Sequence, residues 1–285
     1  MKKEFILPKT LEELWEARAV HPRGALLAGG TDLLVRIRAG RADSQALISL
    51  DRIPDLRGIS TGDGEIFIGP ATTHQQLLDD YSVQKHLPLL RQSVEVLGSP
   101  QVRHMGTLGG NICTASPAGD TLPALYVLGA RLDLRSPQGC RTVPIKEFIE
   151  GPGKTVLRKD EILSGIRVPM PDPGFRAGYH KVGQRKAMAI AVVSMACQVW
   201  INDHGTVGRI RLGWGSVGPT VKTLPEVEKF LEGRPLSLEV LREAGQMVSK
   251  GVTPIDDVRA GAAYRRLVAG RILLRLLDLL RKEVF

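Results

Sequence analysis

Leu27-Ala28-Gly29-Gly30-Thr31-Asp32-Leu33-Leu34 and Thr107-Leu108-Gly109-Gly110-Asn111 are the two stretches on which the reading of this chain turns. Each sets a pair of glycines beside a small hydroxyl residue. Glycine lets a backbone approach a ligand closely and takes positive φ freely, so successive N–H groups can converge on an anion. The threonine hydroxyls add donors. Two such loops, about eighty residues apart in sequence, can grip a pyrophosphate from both sides. A tight turn explains either glycine pair taken alone, so the residues leave a phosphate-bearing cofactor and a plain turn both open.

Regular structure is predicted on either side of these loops. Phe5-Ile6-Leu7, Ala25-Leu26-Leu27 and Ala46–Leu50 read as short strands, with a helix after Thr10 that has Glu13 in capping-box position. Together they form a β-α-β-like unit. Glu65–Gly69 reads as a strand, and Thr73 and Gln76 form a second capping box ahead of Leu77 and Leu78. A helix over Leu89–Leu97 ends at Gly98-Ser99-Pro100. The Gly-, Ser- and Pro-rich stretch from Gln101 to Gly119 reads as loops. A helix over Thr121–Leu128, strands at Arg131–Arg135 and Arg141–Ile145, and a strand at Ile166–Val168 follow.

Pro169 to Gly174 is a linker by composition, and the texture then changes. Ala189–Ile201 and Val207–Leu212 flank the turn Asn202-Asp203-His204-Gly205, as a hairpin requires. Helices are predicted near Pro225–Leu231 and Leu238–Ser249. A long last helix is predicted from about Asp256-Asp257 to about Arg281. Its apolar residues face several sides, which suits either a core helix or one that docks on a partner. The expected pieces are 1–57, 58–170 and 175–285, all α+β. Gly213-Trp214-Gly215-Ser216-Val217-Gly218 has the spacing of a dinucleotide fingerprint, but Pro219 follows and no helix opens there, so a Rossmann site is not expected.

Composition narrows the function classes. Cys113, Cys140 and Cys197 stand far apart, which argues against a zinc or iron–sulfur site in this chain and for a reducing compartment. No signal-peptide core or membrane-spanning run is seen, and a cytoplasmic protein is expected. The net charge is +9, yet the basic residues are scattered and mostly arginine, and aromatics are only 5%. Nucleic acid is therefore not the expected partner. No nucleophile–base pair, carboxylate pair or metal-ligand cluster is seen, so no catalytic or metal residue is assigned.

The segment from Gly98-Ser99-Pro100-Gln101-Val102-Arg103-His104-Met105-Gly106 through Thr107-Leu108-Gly109-Gly110-Asn111 to Gly119-Asp120-Thr121-Leu122-Pro123-Ala124-Leu125 strongly resembles the FAD-binding subunit of the xanthine dehydrogenase and carbon monoxide dehydrogenase family. Ala28–Leu33, Gly69–His74, Asp160–Leu163, Tyr179–Val182, Ala189–Val193 and Pro254–Arg259 extend the likeness over essentially the whole chain. The resemblance implies a vanillyl-alcohol-oxidase-type FAD-binding fold of two α/β subdomains, followed by a C-terminal α+β domain of sheet and helices. FAD is expected between the first two pieces.

The loops containing Leu27, Ala28, Gly29, Gly30, Thr31, Asp32, Leu33 and Leu34, and Thr107, Gly109, Gly110 and Asn111, would hold the pyrophosphate and its neighbours. The likeness puts Asp120 on the adenosine ribose, Leu97 and Leu163 against the flavin ring, and Lys181 beside the ring, where it would stabilise a negatively charged reduced form. Plain rivals stand beside these roles: Asp120 as the cap of the helix at Thr121, the leucines as core, and Lys181 as a solvated strand residue. His74 follows a helix-cap motif, and a structural role there is preferred to a flavin role; for His104 both roles are open. Met188 lies near where some relatives place an aromatic beside the ring.

The family hydroxylates its substrate on a molybdopterin cofactor in a large partner chain, and passes electrons through 2Fe–2S clusters of a small iron–sulfur partner. The implied assembly is a dimer of heterotrimers, with this chain as its flavin subunit. A stand-alone FAD-dependent oxidase or reductase of the same fold is the alternative.

Overall fold

The computed structural model describes residues 4–185 and 188–280. Strand and helix alternate at first: β1 (Glu4–Ile6), α1 (Leu11–Val20), β2 (Ala25–Leu27), α2 (Leu33–Arg38) and β3 (Ala46–Ser49). The strands pair in parallel in the order β1-β3-β2, with helical crossovers between them. Thr10 caps α1 through the Glu13 amide at 3.2 Å. The other half of the predicted capping box is shifted: the Glu13 carboxylate accepts from the Lys9 amide at 2.7 Å, one residue before the cap. Leu11 and Leu14 bury against Ile48, Ile53 and Leu56, and also against Ala71 and Ile162 from the next segment.

That segment holds β4 (Ile59–Gly62), β5 (Glu65–Ile68), six helices, α3 (His74–Asp79), α4 (Tyr81–His86), α5 (Pro88–Glu95), α6 (Pro100–Met105), α7 (Leu108–Thr114) and α8 (Thr121–Leu128), then β6 (Arg131–Ser136), β7 (Gly139–Pro144) and α9 (Ile145–Phe148). A small hairpin, β8 (Ile149–Gly151) and β9 (Lys154–Thr155), precedes the long strand β10 (Ile162–Pro169). The main sheet runs β4-β5-β10-β6-β7 and is antiparallel throughout. The predicted loop from Gln101 to Gly119 is corrected here, because α7 and all of α6 but Pro100 fall within it. Both are short and locally capped: Ser99 accepts from the Val102 amide at 3.3 Å and Thr107 from the Gly110 amide at 3.0 Å. These caps override the low helix propensity of the glycines.

The third segment builds an antiparallel sheet from β11 (Phe175–Val182), β12 (Val193–Ile201) and β13 (Val207–Gly215). Trp214 is fully buried in the core between this sheet and α10 (Pro225–Leu231), α11 (Leu238–Gly251), α12 (Ala262–Arg271) and α13 (Leu276–Leu280). The single long helix expected from Asp256 is corrected: α12 opens at Ala262, and a 3₁₀ turn over Ile272–Arg275 separates it from α13. Asp257 accepts from the Arg259 and Ala260 amides at 2.8 and 3.3 Å, a local turn that competes with helix. The expected end at Arg281 lies outside the described residues. Ile272, Leu273, Leu276 and Leu279 bury in the core, whereas Leu267 and Leu280 stay exposed. No helix among the described residues is long and apolar enough to cross a membrane.

One buried charge ties the segments together. Glu161 accepts from the Arg141 Nε and Nη2 at 2.7 and 2.9 Å and from the Arg158 amide at 2.9 Å, while its carbonyl accepts from Arg18 of α1. The Arg141 bonds, aided by the Arg158 amide, hold its carboxyl down at about 2 against burial. A depressed carboxyl stabilises the fold fully above its unfolded value and loses that contribution as pH falls toward its folded value. Thermal melts of wild type should therefore show an acid-induced loss of Tm below about pH 4.5, and Glu161→Gln should be destabilised at neutral pH but flatter in that range. Equal slopes for the two proteins would refute this role.

Helices α11 and α12 cross with their backbones in contact. A Cβ added to Gly270 would fall 2.3 Å from the Gly245 carbonyl oxygen, and one on Gly245 would fall 2.7 Å from that of Gly270. Gly270→Ala should cost about 1–3 kcal/mol, as overpacking does, and appear as a lowered Tm. An unchanged Tm would mean that the crossing relaxes freely.

Candidate functional site

The two glycine loops meet in space. A Cβ on Gly29 would fall 1.7 Å from the Met105 carbonyl oxygen, and one on Gly109 would fall 2.4 Å from Pro70 Cβ. In both places backbone crosses neighbouring chain, and only glycine fits. Gly30 adds a left-handed φ of 71°. The segment 69–74 locks the junction. Thr73 and Thr107 form an antiparallel bridge, and the His74 amide donates to the Gly106 carbonyl at 2.9 Å.

This junction determines what each loop can offer a ligand. The amides of Leu108, Gly109 and Asn111 donate to the carbonyls of Thr72, Pro70 and Thr107, and that of Gly110 donates to the Thr107 hydroxyl. The expectation that this loop turns its amides toward an anion is corrected, since they are satisfied within the protein. The amides of Ala28 to Asp32, by contrast, make no hydrogen bond among the described residues. They border a cavity of about 800 Å³. Side-chain donors from the second loop remain: the Asn111 Oδ1 accepts from the Thr121 hydroxyl at 2.7 Å, and its NH₂ makes no bond among the described residues.

Most of the predicted residues reach the cavity wall: Ala28, Gly29, Gly30, Thr31, Asp32 and Leu33 from the first loop, Thr107, Gly109, Gly110 and Asn111 from the second, and Leu97, Asp120 and Leu163. Leu27 lies behind the wall, buried in β2, and Leu34 sits partly exposed on α2. Lys181 stands off the wall, behind Asp120. Its Nζ lies 2.7 Å from Asp120 Oδ2 and donates to the Val96 carbonyl at 3.1 Å. The side chains are only 8% and 10% exposed, so Lys181 is no solvated strand residue. Nor does Asp120 cap α8, for its side chain accepts no helix amide. Burial pushes the Asp120 carboxyl up, while Lys181 and the Tyr179 hydroxyl oppose that rise.

The resemblance places Asp120 at the adenosine ribose and Lys181 at the ring; the structure joins the two side chains in one buried ion pair.

Sequence reasoning missed part of the wall. Ile190, Ser216, Asp257, Arg259 and Arg265 all line the cavity, so the third segment closes a site expected between the first two. Arg265 is 3% exposed and donates to the Val192 and Ser216 carbonyls at 2.9 and 3.0 Å and to Asp257 at 2.6 Å. The signal was Pro254–Arg259, noticed as a motif but given no role. His74 also lines the cavity, whereas His104 is exposed, its Nδ1 2.8 Å from the Pro100 carbonyl. Met188 is exposed with φ of 54° and is not on the wall. Gly213 and Gly215 end β13 against Pro123, and Pro117 accepts from the Ser216 amide, so this run serves packing and not a helix-capped phosphate.

A row of unpaired amides, apolar surface from Leu97, Leu157, Ile162 and Leu163, and a volume within the 300–1,000 Å³ usual for cofactor sites suit an elongated ligand with an anionic middle and a flat ring. Fold and cavity thus define a cofactor-binding protein whose cavity is lined by residues of three segments. Residues 1–171 match the FAD binding domain in molybdopterin dehydrogenase, and residues 178–280 the CO dehydrogenase flavoprotein C-terminal domain. The chain is 34% identical over 259 residues to the putative xanthine dehydrogenase FAD-binding subunit of Escherichia coli, covering 90% of this chain and 88% of that one. It is 34% identical to the carbon monoxide dehydrogenase medium chain of Hydrogenophaga pseudoflava, covering 89% and 88%. The solved carbon monoxide dehydrogenase of Hydrogenophaga pseudoflava matches with a TM-score of 0.92 at 31% identity, covering 98% of this chain and 97% of that one. The chain belongs to the family of FAD-binding medium subunits of molybdenum hydroxylases, an oxidoreductase family, and FAD is its cofactor.

Two variants probe the site. Gly29→Ala should fold yet weaken FAD binding about 10- to 100-fold, since displacing the loop costs of order 1–3 kcal/mol. The ratio of flavin to protein absorbance after gel filtration measures it, and full retention would contradict the close-crossing argument. Asp120→Asn leaves the Lys181 cation buried without its counter-charge and should cost about 3–5 kcal/mol. The double variant Asp120→Asn/Lys181→Met should recover much of that stability without recovering FAD affinity.

Proposed function

We propose that this chain is the electron-transfer subunit of a cytoplasmic molybdenum hydroxylase complex. In this reading it takes electrons from 2Fe–2S clusters in a small iron–sulfur partner and passes them to a terminal acceptor. The organic substrate is hydroxylated on molybdopterin in a large partner chain, and the assembly is a dimer of heterotrimers. The observation that carries the reading is the row of unpaired amides from Ala28 to Asp32 fronting one wall of a cavity whose other walls are largely apolar. Such a site suits a cofactor, and charged groups on or behind its wall are paired, Asp120 with Lys181 and Asp257 with Arg259 and Arg265.

When bound, FAD supplies a redox centre able to take electrons singly and release them in pairs. The chain's own part is binding and orientation. The Ala28–Asp32 amides and the Thr31 hydroxyl would hold phosphate oxygens, and the Asn111 NH₂ would donate to a neighbouring oxygen. Leu97 and Leu163 would exclude water from the ring. Asp120 and Lys181 would act as one dipolar unit.

Affinity purification of the tagged chain from its native host should bring down two further chains with FAD, iron and molybdenum. FAD alone, with substrate turnover by the single chain, would overturn the subunit reading in favour of a stand-alone oxidase or reductase.

A further inference from the structure

We propose that His74 is an additional cofactor-binding residue, a neutral imidazole that donates its Nε2–H into the cavity to an oxygen of bound FAD.

His74 opens α3, immediately after the Thr73 cap, and its amide is fixed on the Gly106 carbonyl. The residue is 3% exposed, and it lines the cavity at the junction of the glycine loops. Its Nδ1 is sealed inside the protein with no hydrogen-bond partner. Nε2 is not sealed in that way and makes no hydrogen bond among the described residues. The ring therefore has one nitrogen turned into the protein and one left for whatever occupies the cavity.

Arg103 decides which nitrogen carries the proton. Its Nη1 donates to the Leu97 carbonyl at 3.1 Å, and its Nε, like His74 Nδ1, is buried without a partner. Burial first, and the Arg103 charge second, push the imidazole down to about 4, so the ring is neutral at physiological pH. An arginine Nε–H can only donate. With the Arg103 charge acting on the ring, the state of the buried Nδ1 that meets it favourably is the acceptor. The proton of the neutral ring then sits on Nε2, which becomes a donor into the cavity. Such a donor needs no counter-charge and keeps its role across the physiological pH range. A merely packed ring would give the same burial, but it would need neither this tautomer nor a polar atom at Nε2.

The test uses the full chain, stripped of flavin and reloaded with FAD. Fluorescence titration should show that His74→Phe raises the Kd for FAD about tenfold, the loss of one net hydrogen bond. His74→Gln, which offers an amide donor, should stay within about threefold of wild type. Long-range ¹H–¹⁵N spectra of ring-labelled protein should show the Nε2–H tautomer of His74 between pH 6 and 8, with its resonance shifted on adding FAD. Wild-type affinity in His74→Phe, an Nδ1–H tautomer, or an Nε2 signal indifferent to FAD would each overturn the proposal. If His74→Phe does not fold, the wild-type spectra and the glutamine variant still decide it. Failure of the wild-type chain to take up FAD at all would instead count against the cofactor itself.

Discussion

Where the Gly29 α-carbon faces the Met105 carbonyl there is no space for a methyl group, and much of the site follows from that single crossing. It brings the end of β2, in the parallel sheet, onto the α6–α7 junction of the antiparallel segment. The segment 69–74 then hydrogen-bonds along the second glycine loop and takes up its amides. The first loop, held by van der Waals contact, keeps its own amides free. Steric exclusion at one glycine thus allocates hydrogen-bond donors between two loops that look alike in sequence.

The third segment enters the same site through charge. Lys181 of β11 reaches Asp120 at the head of α8, and Arg265 of α12, itself on the cavity wall, holds the Val192 and Ser216 carbonyls of its own segment. A buried ion pair adds little net stability, but breaking one is costly. The Lys181–Asp120 pair therefore acts less as glue than as a constraint on how the C-terminal sheet may sit. Tyr179 strengthens the constraint: its amide takes the Gln92 side chain, and its hydroxyl faces Asp120.

Strands with an apolar face and helices with polar caps were legible in the sequence, because period and capping are local. The Ala25–Leu27 and Val193–Ile201 strands, the Thr73–Gln76 capping box and the Thr121–Leu128 helix belong to this class. β4 was not legible, since Ile59–Gly62 has one half-buried residue and three exposed ones and so no alternation. α6 and α7 were masked by glycine and proline whose purpose is tertiary. The Asp257 turn that delays α12 depends on Arg265 eight residues later, beyond the reach of helix period. In the site, the family motifs located nearly every wall residue of the first two segments. What they could not give was pairing: that the Gly109 and Gly110 amides are already used, and that Asp120 and Lys181 touch.

That last contact changes the electrostatics of the cavity. A free lysine beside a ring would present a full positive charge to any negative charge developing there. Lys181 meets the Asp120 carboxylate at 2.7 Å and the Val96 carbonyl at 3.1 Å, and its side chain is buried. What reaches the cavity is the field of a dipole, which falls off faster with distance than that of a charge. Asp257 pairs with both Arg265 and Arg259, so one carboxylate there meets two guanidinium groups. Beside the first glycine loop the wall also offers oriented neutral groups, the Ala28–Asp32 amides foremost. Burial keeps such dipoles in place without the desolvation cost of an unpaired ion. A cofactor with a charged middle would then meet fixed dipoles as well as paired charges on the wall.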